Sequence, residues 1–445
     1  MYSSMERICK SVFCFFLLSC IFTIDCFADE LTRRQLYMIG NDTSIIRHYK
    51  MKKDVVCVRS YVGPFFMMQE EGVSSTQMLF VEMSDVTDFE IYNDTVYFCG
   101  KTYGTLGSTA RVGFFPVSGL STLGVTTVSY LDFPWMEELK AVEVSFYSMR
   151  KHLVTIGETM KNEAMLVDAI DDGIAWNVNY AVINNPNVVF RDLAVTDTWV
   201  VVTSTSRVSS LCKNGIIFYF KKPSVVGSAV TQISPASYND LGGGYSDKFI
   251  IRTINGDVFA TAYIPCLFQD FDPELHVMFH PGMGYGRRFV LTESHRDGMM
   301  LQDMAVERGS GDVQVLVTLQ GFLGVRSVFY RMPINGSSSV IPVDRRTLFT
   351  DYMTSLSPTD HWNHFVSFGY NVGTTEHFFA KYEAGSIAGG CLSLDSKEAV
   401  GSIKEKEPDL VKFENDMVRM IPISYEVEKK ESKFEDVCTS QSKAN

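Results

Sequence analysis

Short runs of Val, Ile, Phe and Tyr alternate with polar residues along most of this chain, and they come in pairs joined by tight-turn residues. One pair is Phe89–Tyr92 and Thr95–Cys99 around Asn93-Asp94; another is Arg191–Val195 and Trp199–Thr203 around Asp197. Ile46–Met51 and Val55–Tyr61 flank Lys52-Lys53-Asp54, and Ala141–Tyr147 and Leu153–Ile156 flank Arg150. Phe249–Ile254 and Val258–Tyr263 flank Asn255-Gly256-Asp257, and Met304–Glu307 and Val313–Gln320 flank Gly309-Ser310-Gly311. Asn-Gly and Asn-Asp tolerate the positive φ of a two-residue hairpin turn. The flanks suit a pleated, half-buried surface, so each pair reads as a β-hairpin.

Further apolar runs follow most pairs, at Arg111–Val117, Ala164–Ile170, Ile216–Phe220, Leu275–Phe279 and Val325–Tyr330. Each pair therefore gains a third strand, and the linker to the next pair can supply a fourth. A weaker seventh pair is His364–Tyr370 and His377–Tyr382 around Val372-Gly373. Helical spacing is nearly absent, with Met136–Lys140 at most one turn. Hairpins at this period predict an all-β fold, a single β-propeller of mainly four-stranded antiparallel sheets. Seven blades is the expectation, six or eight the alternatives; a β-sandwich pair or irregular solenoid is the competing architecture.

The ends of the chain read differently. Arg7 and Lys10 precede an apolar run, Ser11–Ile24, and Cys26-Phe27-Ala28 offers small residues to a signal peptidase. Residues 1–28 are thus expected to be a signal peptide cleaved between Ala28 and Asp29. Leu17-Leu18-Ser19-Cys20 resembles a lipobox, so lipoprotein anchoring through Cys20 is the alternative, although Ile21–Ile24 continues the apolar run beyond that Cys. The run is too short for a retained span of about 20 residues. Residues 29–428 are assigned to the propeller. Ser396–Lys412 alternates charges and reads as a solvated loop, Met417–Val427 as a closing strand paired with sheet from the N-terminal end, and residues 429–445 as a disordered tail.

Composition narrows the partners. Of 445 residues, 46% are hydrophobic and 21% charged, with a net charge of −12. Such a balance lacks the clustered Lys and Arg that phosphate backbones require, which argues against nucleic acid and anionic membrane surfaces. Exported location, as a periplasmic, cell-surface or secreted protein, follows from the leader, and no membrane span is expected in the mature chain. Cys57, Cys99, Cys212, Cys266, Cys391 and Cys438 form no CxxC pair, so zinc is not expected. Cys57 and Cys99, both just after a hairpin turn, read as free buried core residues.

Candidate chemistry is sparse. His276 and His280 share one face of a strand, but a metal needs a third ligand such as His295 or Asp297. His361-Trp362-Asn363-His364 suits a turn. Asn239-Asp240-Leu241-Gly242-Gly243-Gly244 lacks the Lys-Ser/Thr of a phosphate loop and the alternating Asp ligands of a calcium loop, and reads as a connection between blades. Asp168, Asp171 and Asp172 cluster at a strand end, where solvated carboxylates are the ordinary reading rather than paired acid–base groups. No Gly-x-Ser-x-Gly elbow occurs. Asn41, Asn93 and Asn335 head sequons; at Asn93-Asp94 turn chemistry is by itself a sufficient explanation. Tyr103, Trp135 and Tyr245 fall in connecting segments and are candidates for stacking on sugars. No catalytic residue, metal or cofactor is assigned.

Val86–Gly100 followed by Val112–Pro116 resembles a family of uncharacterised secreted β-propeller proteins of anaerobic gut bacteria. Leu193–Thr203, Phe218–Pro223 and Leu31–Leu36 are similar to the same family, and the likeness runs from about residue 29 to 385. The resemblance implies an exported propeller and carries no catalytic residues; the charged segment after Leu394 departs from it. The expected function is non-enzymatic: a binding or scaffold propeller that engages a protein or glycan through loops around its channel. The alternative is a glycan-processing lyase or hydrolase with its site at the channel mouth, for which fold alone is no warrant. Converging His, Arg and carboxylates in the channel would favour the enzyme.

Overall fold

In the computed structural model, the described residues are 32–36, 48–52, 55–59, 63–68 and 75–436. The last range has breaks at 105–106, 122–124, 174, 184–185, 207–212, 223–233, 266–273, 282–286, 293–297, 308, 322–323, 334–340, 350, 359–363, 372–376, 384–392, 400–410, 419, 427 and 432–433. The leader, with Cys20, Ala28 and Asp29, lies outside them.

The described chain is all-β. Strand β1 (Thr32–Leu36) is followed by β2–β5 (His48–Lys52, Val55–Arg59, Pro64–Met68, Ser75–Phe80) and β6–β9 (Asp85–Tyr92, Thr95–Gly104, Gly107–Pro116, Val125–Phe133). Next come β10–β13 (Met136–Tyr147, Arg150–Thr159, Ala164–Asp171, Trp176–Ile183), β14–β16 (Val188–Val195, Trp199–Ser206, Lys213–Lys221), the long β17 (Ser234–Asn255) and β18–β20 (Val258–Pro265, Glu274–Pro281, Arg287–Thr292). Then follow β21–β24 (Gly298–Val306, Val313–Gly321, Gly324–Met332, Ile341–Phe349), β25–β27 (Asp351–Pro358, His364–Asn371, His377–Glu383) and β28–β32 (Ser393–Ala399, Val411–Val418, Met420–Glu426, Glu428–Glu431, Phe434–Asp436).

These strands form six antiparallel sheets, a propeller-like arrangement. Consecutive strands pair within each. The largest runs from β14 to β20, and its middle strand serves both sides: in β17, pairing with β16 runs from Ser234 to Gly244, and pairing with β18 includes Gly244 and then Phe249–Asn255. The first strands of successive sets pack side by side, β2 with β6, β6 with β10, β10 with β14, β14 with β17, β17 with β21, and β21 with β25; β25 packs in turn beside β2.

Turn chemistry behaves as the sequence predicts at Asn93 and Asp94, whose φ values are 46° and 54°, and at Gly256, with φ 49°. Met136–Lys140 is a different case. It is strand, the start of β10, and not a helical turn. Met136, Leu139 and Val142 are three apart and all buried in one cluster. Two register shifts, between Met136 and Glu138 and between Leu139 and Ala141, reset the alternation of faces, so a bulged strand imitates a helical period. The seventh hairpin is shifted by one strand. His364–Tyr370 and His377–Tyr382 are the second and third strands of their sheet, and the first is β25, whose polar residues and Pro358 mute the strand pattern.

The apolar core lies between neighbouring sheets. Phe66 of β4 meets Phe89, Phe98 and Phe115 of the next sheet at ring separations of 5.6, 4.9 and 5.2 Å. All four are buried, and each such ring contributes roughly 1.5–3 kcal/mol.

The chain beyond residue 392 adds edge strands. Strand β28 pairs with β24, β29 with β13, β30 with β9, and β31 with β5. β1 joins β27, and β32 pairs with β1. The strand expected over Met417–Val427 is present as β30, but its partner is Val125–Phe133, and the strand that joins β27 is β1. Parts of the solvated loop and of the polar tail are strands. An edge strand needs only its main-chain N–H and C=O groups, so a charged run such as Glu428–Glu431 can complete a sheet. Residues 437–445 lie outside the described chain.

Candidate functional site

The first strands of the sets carry the most concentrated chemistry. Several share a local device. A register shift falls between Val86 and Asp88 in β6, between Phe190 and Asp192 in β14, and between Leu301 and Asp303 in β21. A bulge leaves main-chain N–H groups without a ladder partner. The Asp that follows each bulge supplies acceptors. Asp192 Oδ1 accepts from the Leu193 N–H at 3.0 Å, and Asp303 Oδ1 from the Met304 N–H at 2.8 Å.

The other carboxylate oxygen reaches the first strand of the next set. Asp88 Oδ2 accepts from the Val142 N–H at 3.1 Å, Asp192 Oδ2 from Ile251 N–H at 3.1 Å, and Asp303 Oδ2 from Leu356 N–H at 2.9 Å. Arg252 lies between two of them, donating from Nη1 to Asp192 Oδ2 at 2.6 Å and from Nη2 to Asp303 Oδ1 at 3.0 Å. On the opposite side, Lys52 of β2 is paired with Glu90 of β6. Burial pulls down the pKa of both cations, but the surrounding carboxylates outweigh it and hold both above their usual range: Glu90, Asp88 and Glu143 around Lys52, and Asp192, Asp303 and Asp88 around Arg252.

Glu143 of β10 belongs to the same group. Burial first, and then the neighbouring Glu90 charge, raise its carboxyl to about 8 from an ordinary 4.5. The ion-paired side chains keep about a quarter of their surface open, 23% for Lys52 and 26% for Arg252.

A second polar cluster sits between β10–β13 and β14–β16. His152 Nδ1 donates to Asp168 Oδ1 at 2.9 Å, and the Tyr147 hydroxyl donates to Asp168 Oδ2 at 3.0 Å. Tyr147 stacks on His152 at 3.5 Å, and the Lys222 ammonium lies 4.7 Å from the centre of the Tyr147 ring. Burial lowers the Lys222 pKa. His152 and Asp168 are 2% and 1% exposed, which closes them to a substrate.

Sequence-predicted candidates are dispersed. Asp168 is inside the fold, not at a solvated strand end, because it is satisfied by His152 and Tyr147. Asp171 is paired with Lys151 Nζ at 2.7 Å, and Asp172 accepts from Ala175 N–H at 2.7 Å in its turn. His276 contacts Tyr263 Oη at 3.1 Å and Glu274 Oε2 at 2.8 Å; His280 contacts Thr261 Oγ1 at 3.3 Å. Both are buried, and burial lowers His280 to about 3, so it is neutral. His295, Asp297, His361, Trp362 and Asn363 lie outside the described residues, as does the His364 side chain. Asn239–Gly244 is not a connection but part of β17, where the glycines pair with β16 and the register shifts. Among the described residues, no three or more His, Cys, Asp or Glu are grouped to hold a metal ion.

Tyr103 is exposed at the end of β7, 66% open, with the Lys101 ammonium 5.8 Å from its ring. Trp135 is packed, stacked on Tyr180 at 6.0 Å. The Tyr245 side chain lies outside the described residues. Cys57 and Cys99 are buried thiols, as expected; Cys212, Cys266, Cys391 and Cys438 are not described. Asn93 is exposed in its turn, and Asn41 and Asn335 are not described.

Sequence reasoning missed this group of charges on the first strands. The signal was present: apolar–x–Asp–apolar–x–apolar recurs as Val86–Ile91, Phe190–Val195 and Leu301–Val306. No known family model matches the chain, and no curated protein matches it. Among the described residues, no helix is long and apolar enough to cross a membrane.

Proposed function

We propose that this chain is an exported, non-enzymatic β-propeller of seven blades that binds a protein or glycan through the loops around its central channel. Support for seven blades comes from the seven first strands that neighbour one another in order, with β17 serving as the fourth strand of one blade and the first of the next. The packing of β25 beside β2, and of β1 onto β27, supports a closed ring. Export rests on the leader, with cleavage between Ala28 and Asp29, and agrees with the resemblance to secreted propellers.

One observation carries the binding reading. The axial aspartates spend their oxygens on main-chain N–H groups and on Arg252, so the channel chemistry is committed to holding the blades. Recognition then falls to the loops, where Tyr103 offers an open ring flanked by a cation. The test is retention of residues 29–445 on an array of polysaccharides and on immobilised envelope proteins. Specific retention without cleavage of the ligand supports the reading, and chain shortening of a retained polysaccharide overturns it.

Glu143 favours a second reading. A carboxyl held protonated near neutrality beside the Glu90 carboxylate is the pairing that glycoside hydrolysis uses. Release of reducing ends by the native chain, abolished in Glu143→Gln, would establish it in place of the first.

A further inference from the structure

The three latching aspartates do not fall on consecutive blades. Asp88 ties β6 to β10, Asp192 ties β14 to β17, and Asp303 ties β21 to β25. At the corresponding place after the bulge, β10 has Ala141 and β25 has Ser355, whose Oγ is buried without a hydrogen-bond partner. The pattern is therefore every second seam.

Each latched seam carries further bonds to main-chain atoms. Thr87 Oγ1 donates to Leu139 O at 2.7 Å across the first, and Thr203 Oγ1 to Phe249 O at 2.5 Å across the second. Across the third, Ser327 Oγ accepts from Met353 N–H at 2.8 Å. The intervening seams are spanned by long side chains. Lys222 lies over Tyr147 between β14–β16 and β10. Lys248 donates to Gln302 O at 2.9 Å, and Arg252 to Asp303, between β17 and β21. Lys52 and Arg59 reach Glu90 and Asp85 between β2–β3 and β6.

The two kinds of seam differ physically. Parting a latched seam strips a carboxylate acceptor from a buried main-chain N–H of the neighbouring set, at Val142, Ile251 or Leu356, and a buried N–H left without its acceptor is costly. Parting an intervening seam separates Lys and Arg heads from their partners, and water can solvate both sides of those contacts once the seam is open.

We infer that the molecule is assembled from three two-blade modules, β6–β13, β14–β20 and β21–β27, with β2–β5 as a single odd blade, and that it opens between modules rather than within them. The Asp after a bulge is the latch. This rests on the hydrogen bonds and ion pairs between sheets and not on the proposed ligand, so failure of the binding experiment leaves it standing.

Native-state hydrogen exchange of the full mature chain tests it. In the wild type, the Val142, Ile251 and Leu356 amides should be protected, and sub-global opening should group β6–β13, β14–β20 and β21–β27 as units. Asp88→Ala should speed exchange at Val142 on the order of tenfold or more, with acceleration confined to β6–β13. Asp88→Asn, which keeps an acceptor oxygen, should restore part of the protection. Opening blade by blade, opening of the whole ring at once, or acceleration by Asp88→Ala spread evenly over all sheets overturns the inference. Should Asp88→Ala not fold, the wild-type grouping and Asp88→Asn still decide it.

Discussion

Asp192 Oδ2 accepts from Arg252 Nη1 at 2.6 Å, and the same guanidinium holds Asp303 Oδ1 at 3.0 Å from Nη2. One planar cation thus joins the first strands of three sets, β14, β17 and β21. Only a two-pronged donor fits this geometry.

Removing that cation should leave two partly buried carboxylates facing each other. Arg252→Met is expected to cost about 3–5 kcal/mol, the range for breaking a buried ion pair. Arg252→Lys keeps the charge but cannot reach both acids, so an intermediate loss is expected. Urea unfolding midpoints measure both. A methionine variant as stable as the parent would mean that the bridge holds nothing.

Close backbone approach makes a second prediction. Gly157 in β11 stands opposite the bulge of β10, and a Cβ there would lie 2.1 Å from Glu138 O. Gly100 has the same relation to the β6 bulge, with Asp85 O at 2.0 Å. The obstruction is main chain and cannot swing aside. Gly157→Ala should therefore destabilise by about 1–3 kcal/mol, read as a lower melting temperature. An unchanged melt would show that the bulged strand yields freely.

Legibility in the sequence followed the range of the interaction that sets each feature. Asn93-Asp94 is read correctly because a hairpin turn is decided by its own two residues. Met136, Leu139 and Val142 mislead because a bulge changes the period without changing the residue types. Strand β25 and the edge strands β28, β29 and β31 are hidden because their partners, not their own apolar pattern, make them strands, whereas β30 is legible from the alternation over Met417–Val427. The charged group on the first strands is further away still: Asp88 meets Val142, and Asp303 meets Leu356, across separate sheets. Their motif is visible, but only the stacking of sheets gives it meaning.

The hairpin between β10 and β11 turns on Ser148 and Met149, at φ 54° and 60°. Neither residue is suited to the left-handed region, which costs L-residues roughly 1–2 kcal/mol each. Met149 is 90% exposed, so its side chain returns little packing. The double substitution Ser148→Asn, Met149→Gly should raise stability by about 1–2 kcal/mol. Differential scanning calorimetry is the check, and a lowered melting temperature would show that the Met149 side chain supports the fold.

Glu143 makes stability depend on pH in a direction opposite to that of an ordinary ion-paired carboxylate. Its pKa is about 8 in the folded chain, above the ordinary 4.5. Between those values the folded state holds a proton that the unfolded state has released. The protonated carboxyl therefore contributes fully below 4.5, and the contribution is lost as pH rises through 8. The cause is burial next to Glu90, and Lys52 and Arg252 offset it only in part. Glu143→Gln keeps the shape and removes the charge, so its stability should fall less steeply than that of the parent between neutral and mildly alkaline pH. The expected gain over the parent above pH 8 is on the order of 1 kcal/mol or more, discounted for the solvent that reaches the axial side chains. Thermal melts of both chains across that range measure the difference. Parallel pH profiles would mean that Glu143 is ionised in the folded protein and that the Lys52 and Arg252 charges, not burial, govern it.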